Sequence, residues 1–421
     1  MLTAALRPLW RHLIQHHIQL ENGLTLLAEH VRTPSISFDL RMRCGSSADP
    51  HGARGAAHAL EGWLWKGAGG FSARELGEAQ DDLGLQRGGG AGFEYTRMSA
   101  NLLSSDLEAA FALFAKVLLE PHLHAEDLEP LLELSRQDLL SLEDSPPDKL
   151  FSELRGRFYS SGHRDPVQGT LESLDNLTPE VVASLRSRHT PQGATLALAG
   201  NFDWEEVVRL VQKYFGGWSG EKVALEPVVL APHFTGHLEQ DSHQTHLALQ
   251  YAGVHPSSSD WYAFILAQNV LSGNSSSRLF AEVREKRGLA YSVFASSELM
   301  GPLGFLSAYA GTTPERADET LTVLRSEIEN LHLGVSAEEL ERSRISLLSS
   351  LIQSGESARA RCGSLGRDFS WFGRTRTLEE VERALREVTL GQVNGFLEGH
   401  PLKNPSILTL GRVMQDTAVM G

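Results

Sequence analysis

His58 and Glu61 stand three apart in the stretch His58-Ala59-Leu60-Glu61-Gly62. On a helix that spacing puts an imidazole and a carboxylate on one face. A second imidazole directly after the glutamate would complete His-x-x-Glu-His. In that motif the two histidines hold Zn²⁺ and the glutamate takes a proton from the attacking water. Here that position is Gly62, which has no side chain to bind a metal. Taken alone, His58 and Glu61 also fit an ordinary surface pair on a helix.

The surroundings add weight. The segment GARGAAHALEGWLWKGAGGFSARELGEAQDDLGLQRGGGAGFEYTRMSA resembles the corresponding stretch of the pitrilysin/insulinase family of inverted-motif zinc peptidases. Lys66-Gly67, Glu75-Leu76, Leu83-Gly84 and Glu94-Tyr95-Thr96 fall in step with that family's pattern. The resemblance implies a third zinc ligand, a glutamate on a later helix. The aligned position here is Asp138, in SRQDLLSLEDSPP. Aspartate is shorter by one carbon, about 1.5 Å, whereas zinc–oxygen distances tolerate only about 0.2 Å. The family's Asn-Ala segment, which the resemblance associates with contacts to a substrate strand, is replaced by Gly88-Gly89-Gly90-Ala91. These departures share one explanation, a vestigial metal site in which His58, Glu61 and Asp138 remain and no metal is held. The competing reading has another histidine, such as His51, completing the shell.

A second segment, GNSSSRLFAEVREKRGLAYSVFASSE (273–298), keeps the family pattern better. Ser275, Ser276 and Ser277 offer N-cap hydroxyls to a helix. Gly288 suits the position just after its end, and a strand follows. The resemblance implies that an arginine and a tyrosine seven apart reach toward the zinc site from this half; here they are Arg284 and Tyr291. A phenol O–H can donate to the oxyanion of a tetrahedral intermediate, and a guanidinium can bind a substrate carbonyl or reinforce that charge. Without the resemblance, Arg284 would pair with Glu285 or another acid and Tyr291 would pack in a sheet.

The elements that carry these residues repeat. SISFDLRMRCGSSA (35–48) and HQTHLALQYAG (243–253) both alternate as strands do. LDNLTPEVVASLRSRHTPQGATLALAGNF (174–202) and REVTLGQVNGFLEGHPLKNPSILTLGRV (386–413) share a layout: a threonine opens a helix, and a Pro/Gly/Asn loop leads to an apolar run ending in glycine. Repetition at this length marks a duplicated domain and not a solenoid. The expected domains are 1–215, with the degenerate motif, and 237–421, with the Arg/Tyr pair. The Gly- and Pro-rich linker 216–236 lies between them. Strands and helices do not strictly alternate. The fold class is therefore α+β: two homologous domains, each a mostly antiparallel sheet with helices on one face. The family fold adds that the two face each other like half a clamshell.

Bulk properties agree. A chain of 421 residues is long for one core. Its 41% hydrophobic and 22% charged residues are those of a soluble globular protein. A net charge of −15 argues against nucleic acid and anionic membrane as partners and suits a chamber receiving basic peptides. Cys44 and Cys362 make no disulfide framework, and with no long apolar leader or span the simplest location is cytoplasmic. His12 and His16 would share a face if helical; a solvated amphipathic turn is the plainer reading. RGGGAG (87–92) lacks the Lys-Ser/Thr ending of a phosphate loop. SRISLLSSLIQSGESARA (343–360) has the apolar spacing of a core-facing helix.

Together these readings imply a non-catalytic subunit of a heteromeric zinc metallopeptidase. Arg284 and Tyr291 would act on the zinc site of a homologous partner with an intact His-x-x-Glu-His. The chain would hold no cofactor itself, and unstructured peptides would be the substrates. Two rivals remain: a scaffold subunit with no catalytic part, and a residual metallopeptidase with an altered metal shell.

Overall fold

The structure is a computed structural model that describes residues 14–412. The first half of the chain runs β1 (Gln15–Gln19), β2 (Thr25–His30), β3 (Ser35–Met42) and α1 (Ala56–Leu64). A small hairpin follows, β4 (Gly67–Ala68) and β5 (Phe71–Ser72), then α2 (Ala73–Asp82), β6 (Gln86–Ala91) and β7 (Thr96–Leu103). Helices α3 (Leu107–Leu119), α4 (Leu128–Ser141), α5 (Pro146–Phe158), α6 (Leu171–Leu174) and α7 (Pro179–Ser184) lead to β8 (Thr195–Gly200) and α8 (Trp204–Phe215). The second half contains β9 (Thr235–Glu239), β10 (Thr245–Ala252), α9 (Trp261–Ser272), β11 (Ala290–Met300) and β12 (Leu303–Thr312). It closes with α10 (Ala317–Glu329), α11 (Ala337–Gly355), α12 (Ala358–Phe372), α13 (Leu378–Glu387), α14 (Leu390–Gly399) and β13 (Ser406–Gly411).

Two sheets show the duplication. One has the order β1-β2-β8-β3-β7-β6, the other β9-β13-β10-β12-β11 when read from its parallel end. In the first, β8 lies parallel to β2 and antiparallel to β3. In the second, β13 lies parallel to β9 and antiparallel to β10. The two helix-then-strand echoes of the sequence are therefore the same piece of each sheet. Both helices are capped as their threonines require: Thr178 accepts from the N–H of Val181, and Thr389 forms a capping box with Gln392. The fold is α+β, with two sheet-containing domains.

The chain divides into two compact units that are not two uninterrupted halves. One comprises the described part of Met1–Ser141 with Ser161–Pro227 and Ile352–Leu378. The other comprises Leu142–Ser160, Val228–Leu351 and the described part of Glu379–Gly421. Each unit thus takes one long helix from the opposite half of the sequence.

In the first unit the main helical layer covers one face of the sheet. Leu26, Phe38, Leu40 and Leu198 pack there with Leu60 and Trp63 of α1, Phe111 and Phe114 of α3, and Val211 and Phe215 of α8. The ring of Phe38 meets Phe114 edge-on at 4.8 Å. Each such buried side chain contributes about 1.5–3 kcal/mol. The opposite face is not bare. Leu27, Ala197 and Ala199 meet Cys362 and Leu365 of α12. Small residues let the helix come close: a Cβ on Gly366 would lie 2.6 Å from Arg41 Nε. Arg361 of α12 completes the contact, donating to both carboxylate oxygens of buried Glu29 at 2.5 and 2.7 Å.

The second unit follows the same plan. Leu247, Leu249 and Tyr251 of β10 pack with Phe264 and Leu266 of α9 on the main helical face. On the other face, Leu150 and Leu154 of α5 meet Ala248, Tyr309, Leu408 and Leu410. Helix α11 buries Leu340 and Leu348, as its apolar spacing leads one to expect.

One local expectation fails. His16 lies in β1 and not on a helix, because β1 pairs with β2 in register, His16 opposite Ala28. Its ring stacks on Trp204 at 4.5 Å. His12 falls outside the described residues. The glycine run 88–90 forms β6, the edge strand opposite β1, paired only with β7.

Candidate functional site

The degenerate motif lies on α1. Asp49 organises the start of this helix by accepting from the N–H groups of Gly55 and Ala57, at 2.9 and 3.1 Å. Burial pushes the Asp49 carboxyl up to about 7, against those bonds and the charges of Arg54 and Arg188. Gly55 has φ +96°, and a Cβ there would lie 2.3 Å from the Gln168 carbonyl oxygen, so glycine is required.

The structure brings His58, Glu61 and Asp138 to neighbouring helices, α1 and α4. Burial lowers the His58 pKa, and the Asp138 charge opposes that. Asp138 itself is exposed near the end of α4. Glu61 is engaged elsewhere. The indole N–H of Trp65 donates to it at 3.2 Å, and Arg87 Nη1 of β6 lies 3.8 Å away. The Arg87 guanidinium also sits 4.4 Å over the Trp65 ring. Burial raises the Glu61 pKa, and Arg87 and Trp65 pull it back. Glu61 therefore links α1 to the edge strand.

Beside Gly62 the space is occupied. A Cβ at that position would lie 3.3 Å from a methyl of Leu131, a residue of α4. A catalytic zinc takes three protein ligands in tetrahedral geometry. Helices α1 and α4 offer one imidazole and one short carboxylate, and Gly62 offers no ligand. Among the described residues no three His, Cys, Asp or Glu side chains gather as a metal shell. His51, in an exposed turn, does not complete one. The donor set does not fit zinc.

Arg284 and Tyr291 belong to the second unit. Arg284 lies in a π-helical turn, Phe280–Lys286. That turn ends at Gly288, in the left-handed region at φ +57°, whose N–H donates to the Arg284 carbonyl at 3.0 Å. Tyr291 opens β11 at a β-bulge. Ala290 pairs with Thr312 and Ser292 with Gly311, which leaves Tyr291 as the extra residue. π-Turns and bulges re-aim side chains and recur at functional sites. Here they bring the Arg284 guanidinium 4.6 Å over the Tyr291 ring and 4.8 Å from the Phe280 ring. Among the described residues Arg284 makes no ion pair, and the Tyr291 hydroxyl has no hydrogen-bond partner. Tyr291 is 81% exposed, the most exposed of the large hydrophobic and aromatic side chains among the described residues. Arg284 thus lies against two rings and not against an acid, and Tyr291 is exposed on β11.

Sequence reasoning missed Leu131 and Arg87. Arg87 stands directly before the glycine run, and the edge-strand nature of that run was the available signal. Nothing local marks Leu131.

The two-domain α+β fold and the His58/Glu61 helix are compatible with the zinc-peptidase-like class. Comparisons agree. Residues 25–165 match the model of the insulinase family, peptidase family M16. Residues 176–347 match that of the peptidase M16 inactive domain. The chain is 30% identical over 401 residues to an uncharacterized zinc protease of Mycobacterium leprae, spanning 91% of this chain and 88% of that protein. It is 29% identical over 395 residues to the uncharacterized zinc protease YmxG of Bacillus subtilis, spanning 89% and 93%. A peptidase M16 inactive domain from Pseudomonas fluorescens superposes with a TM-score of 0.88 at 23% identity, over 95% of this chain and 98% of that one. This chain belongs to the insulinase family of peptidases, M16. No helix among the described residues is long and apolar enough to cross a membrane.

Proposed function

We propose that the chain is the non-catalytic subunit of a two-subunit zinc peptidase. Its partner is a homologous chain with an intact His-x-x-Glu-His. To that partner's site this chain brings Arg284 and Tyr291, together with half of a chamber for unstructured peptides. The observation that carries the reading is an asymmetry. On the metal side Gly62 offers no ligand, a Leu131 methyl stands close by and Glu61 faces Arg87, whereas Arg284 stacks on the Tyr291 and Phe280 rings and makes no ion pair among the described residues.

The chemistry follows from the side chains. Amide hydrolysis passes through a tetrahedral species with negative charge growing on oxygen. Zinc held by the partner would activate the water. A phenol O–H fixed by the guanidinium over its ring would donate to the growing oxyanion, and one such donor contributes about 3 kcal/mol. The guanidinium, with its N–H groups free, would take a substrate carbonyl or share that charge. Glu61 has no part in this scheme.

The test is reconstitution. This chain is purified and mixed with a homologous chain that carries an intact His-x-x-Glu-His. Chelator-sensitive hydrolysis of an unstructured peptide is then followed. Neither chain alone should cleave, and the mixture should. A partner fully active by itself, with a rate this chain does not change, would leave it a scaffold at most.

A further inference from the structure

A polar cavity of about 400 Å³ lies in the first unit, away from the motif helix. It opens where β2 and β8 begin, with Thr25 and Thr195, neighbours across the parallel pair, among its lining residues. The chain is acidic overall, yet none of the residues lining this cavity is acidic. Two cations are present instead, Arg43 just after β3 and Lys222 in the segment following α8. Neither makes an ion pair among the described residues. Arg43 Nε is buried and has no acceptor.

The two cations converge. Gly193, at φ +81°, leaves the gap they share: a Cβ there would lie 3.0 Å from Arg43 Cδ and 3.5 Å from Lys222 Cε. Two rings, Tyr95 and Phe369, stand among the walls. The Tyr95 hydroxyl is hydrogen-bonded to Ser370 of α12, which fixes that ring in place.

An unpaired buried guanidinium N–H is costly to keep, and cavities of this size commonly hold small molecules. Two positive charges with no acidic residue in the lining match a dianion. A phosphomonoester carries about −1.5 to −2 at neutral pH and accepts from a guanidinium and an ammonium together. We propose that this cavity binds a small phosphomonoester, its phosphate held by Arg43 and Lys222 and its body lying against Tyr95 and Phe369. The site is independent of the peptidase reading and would stand if that reading fell.

Isothermal titration calorimetry of the full chain in a phosphate-free buffer tests this with phenyl phosphate, inorganic phosphate and phenol. Phenyl phosphate should bind one to one, inorganic phosphate more weakly, and phenol not at all. Arg43→Gln and Lys222→Gln should each weaken phenyl phosphate about tenfold. Arg74→Gln on exposed α2 should change nothing. Should Arg43→Gln fail to fold, Lys222→Gln, in an exposed segment, keeps the test. Absence of saturable binding up to about 10 mM would overturn the proposal, as would equal affinity in the wild type and Lys222→Gln. Equal binding of phenyl phosphate and inorganic phosphate would remove the rings from it.

Discussion

A methyl of Leu131 stands 3.3 Å from the point where a Cβ on Gly62 would lie. Glycine inside a helix is unfavourable by about 0.5–1 kcal/mol relative to alanine, and here the neighbouring helix has closed over the gap it leaves. A terminal methyl can yield to one added carbon but not to an imidazole. Gly62→Ala should therefore be neutral or stabilising by up to about 1 kcal/mol. Gly62→His should cost about 1–3 kcal/mol, and Leu131→Ala in the same chain should recover part of that loss. Urea denaturation of the three variants decides it; a histidine variant as stable as the alanine one would mean Leu131 is no obstacle.

The purified chain should carry far less than one zinc per molecule. One imidazole and one exposed, short carboxylate do not make a catalytic shell. Elemental analysis after mild dialysis is the measurement, and a stoichiometric content would revive the residual peptidase.

In the reconstituted pair, Tyr291→Phe should lower kcat by about 100-fold with little change in KM, since the oxyanion exists only in the transition state. Arg284→Lys should lower kcat/KM as well, because an ammonium does not reproduce the planar contact over the Tyr291 ring. Glu61→Gln should leave both constants nearly unchanged. Steady-state kinetics with loss of activity in Glu61→Gln alone would reverse these roles.

His189 sets an acid limit on stability. Burial pushes its imidazole down to about 4, with Arg186 adding to the effect. An unfolded histidine titrates near ~6.5. Between those values the unfolded chain binds the proton and the folded chain does not. Stability is therefore full above about pH 6.5 and falls as pH drops toward about 4, by about 3 kcal/mol from this group. His189→Gln should flatten the decline, as read from urea midpoints across that range. An unchanged slope would assign the acid sensitivity to other groups.

Arg361 and Glu29 form a side-chain pair only 4% and 1% exposed. Arg361→Met would leave the carboxylate buried without its cation, at a cost of about 3–5 kcal/mol. Changing both residues to apolar ones should cost much less. Equal losses in the single and double variants would show that the charge is not what matters.

Much of this was legible in the sequence. The alternation in 35–48 and 243–253 marks β3 and β10, and Thr178 and Thr389 cap the helices they precede. Gly288 ends its helical turn in the left-handed region that its position suggests. What escaped was set by distant partners. The narrow stripe Leu150, Leu154, Phe158 on α5 shows that one face is buried. It does not say that the covering strands include β10 and β13. His16 has a spacing compatible with a helix, but pairing with β2 decided otherwise. The π-turn at Arg284 and the bulge at Tyr291 depend on how β11 pairs with β12, which periodicity does not encode.

The exchange of α5 and α12 bears on biosynthesis. The sheet that packs against α1 has all its strands once the ribosome has passed β8, yet the helix that covers its second face is made more than 150 residues later. Glu29 must wait 332 residues for Arg361. Closure of loops that long is slow, and until it happens the strands lined by Ala197 and Ala199 lie open. Such a nascent chain would engage holding chaperones, and a truncation before α12 would leave a sticky first unit rather than a smaller working domain.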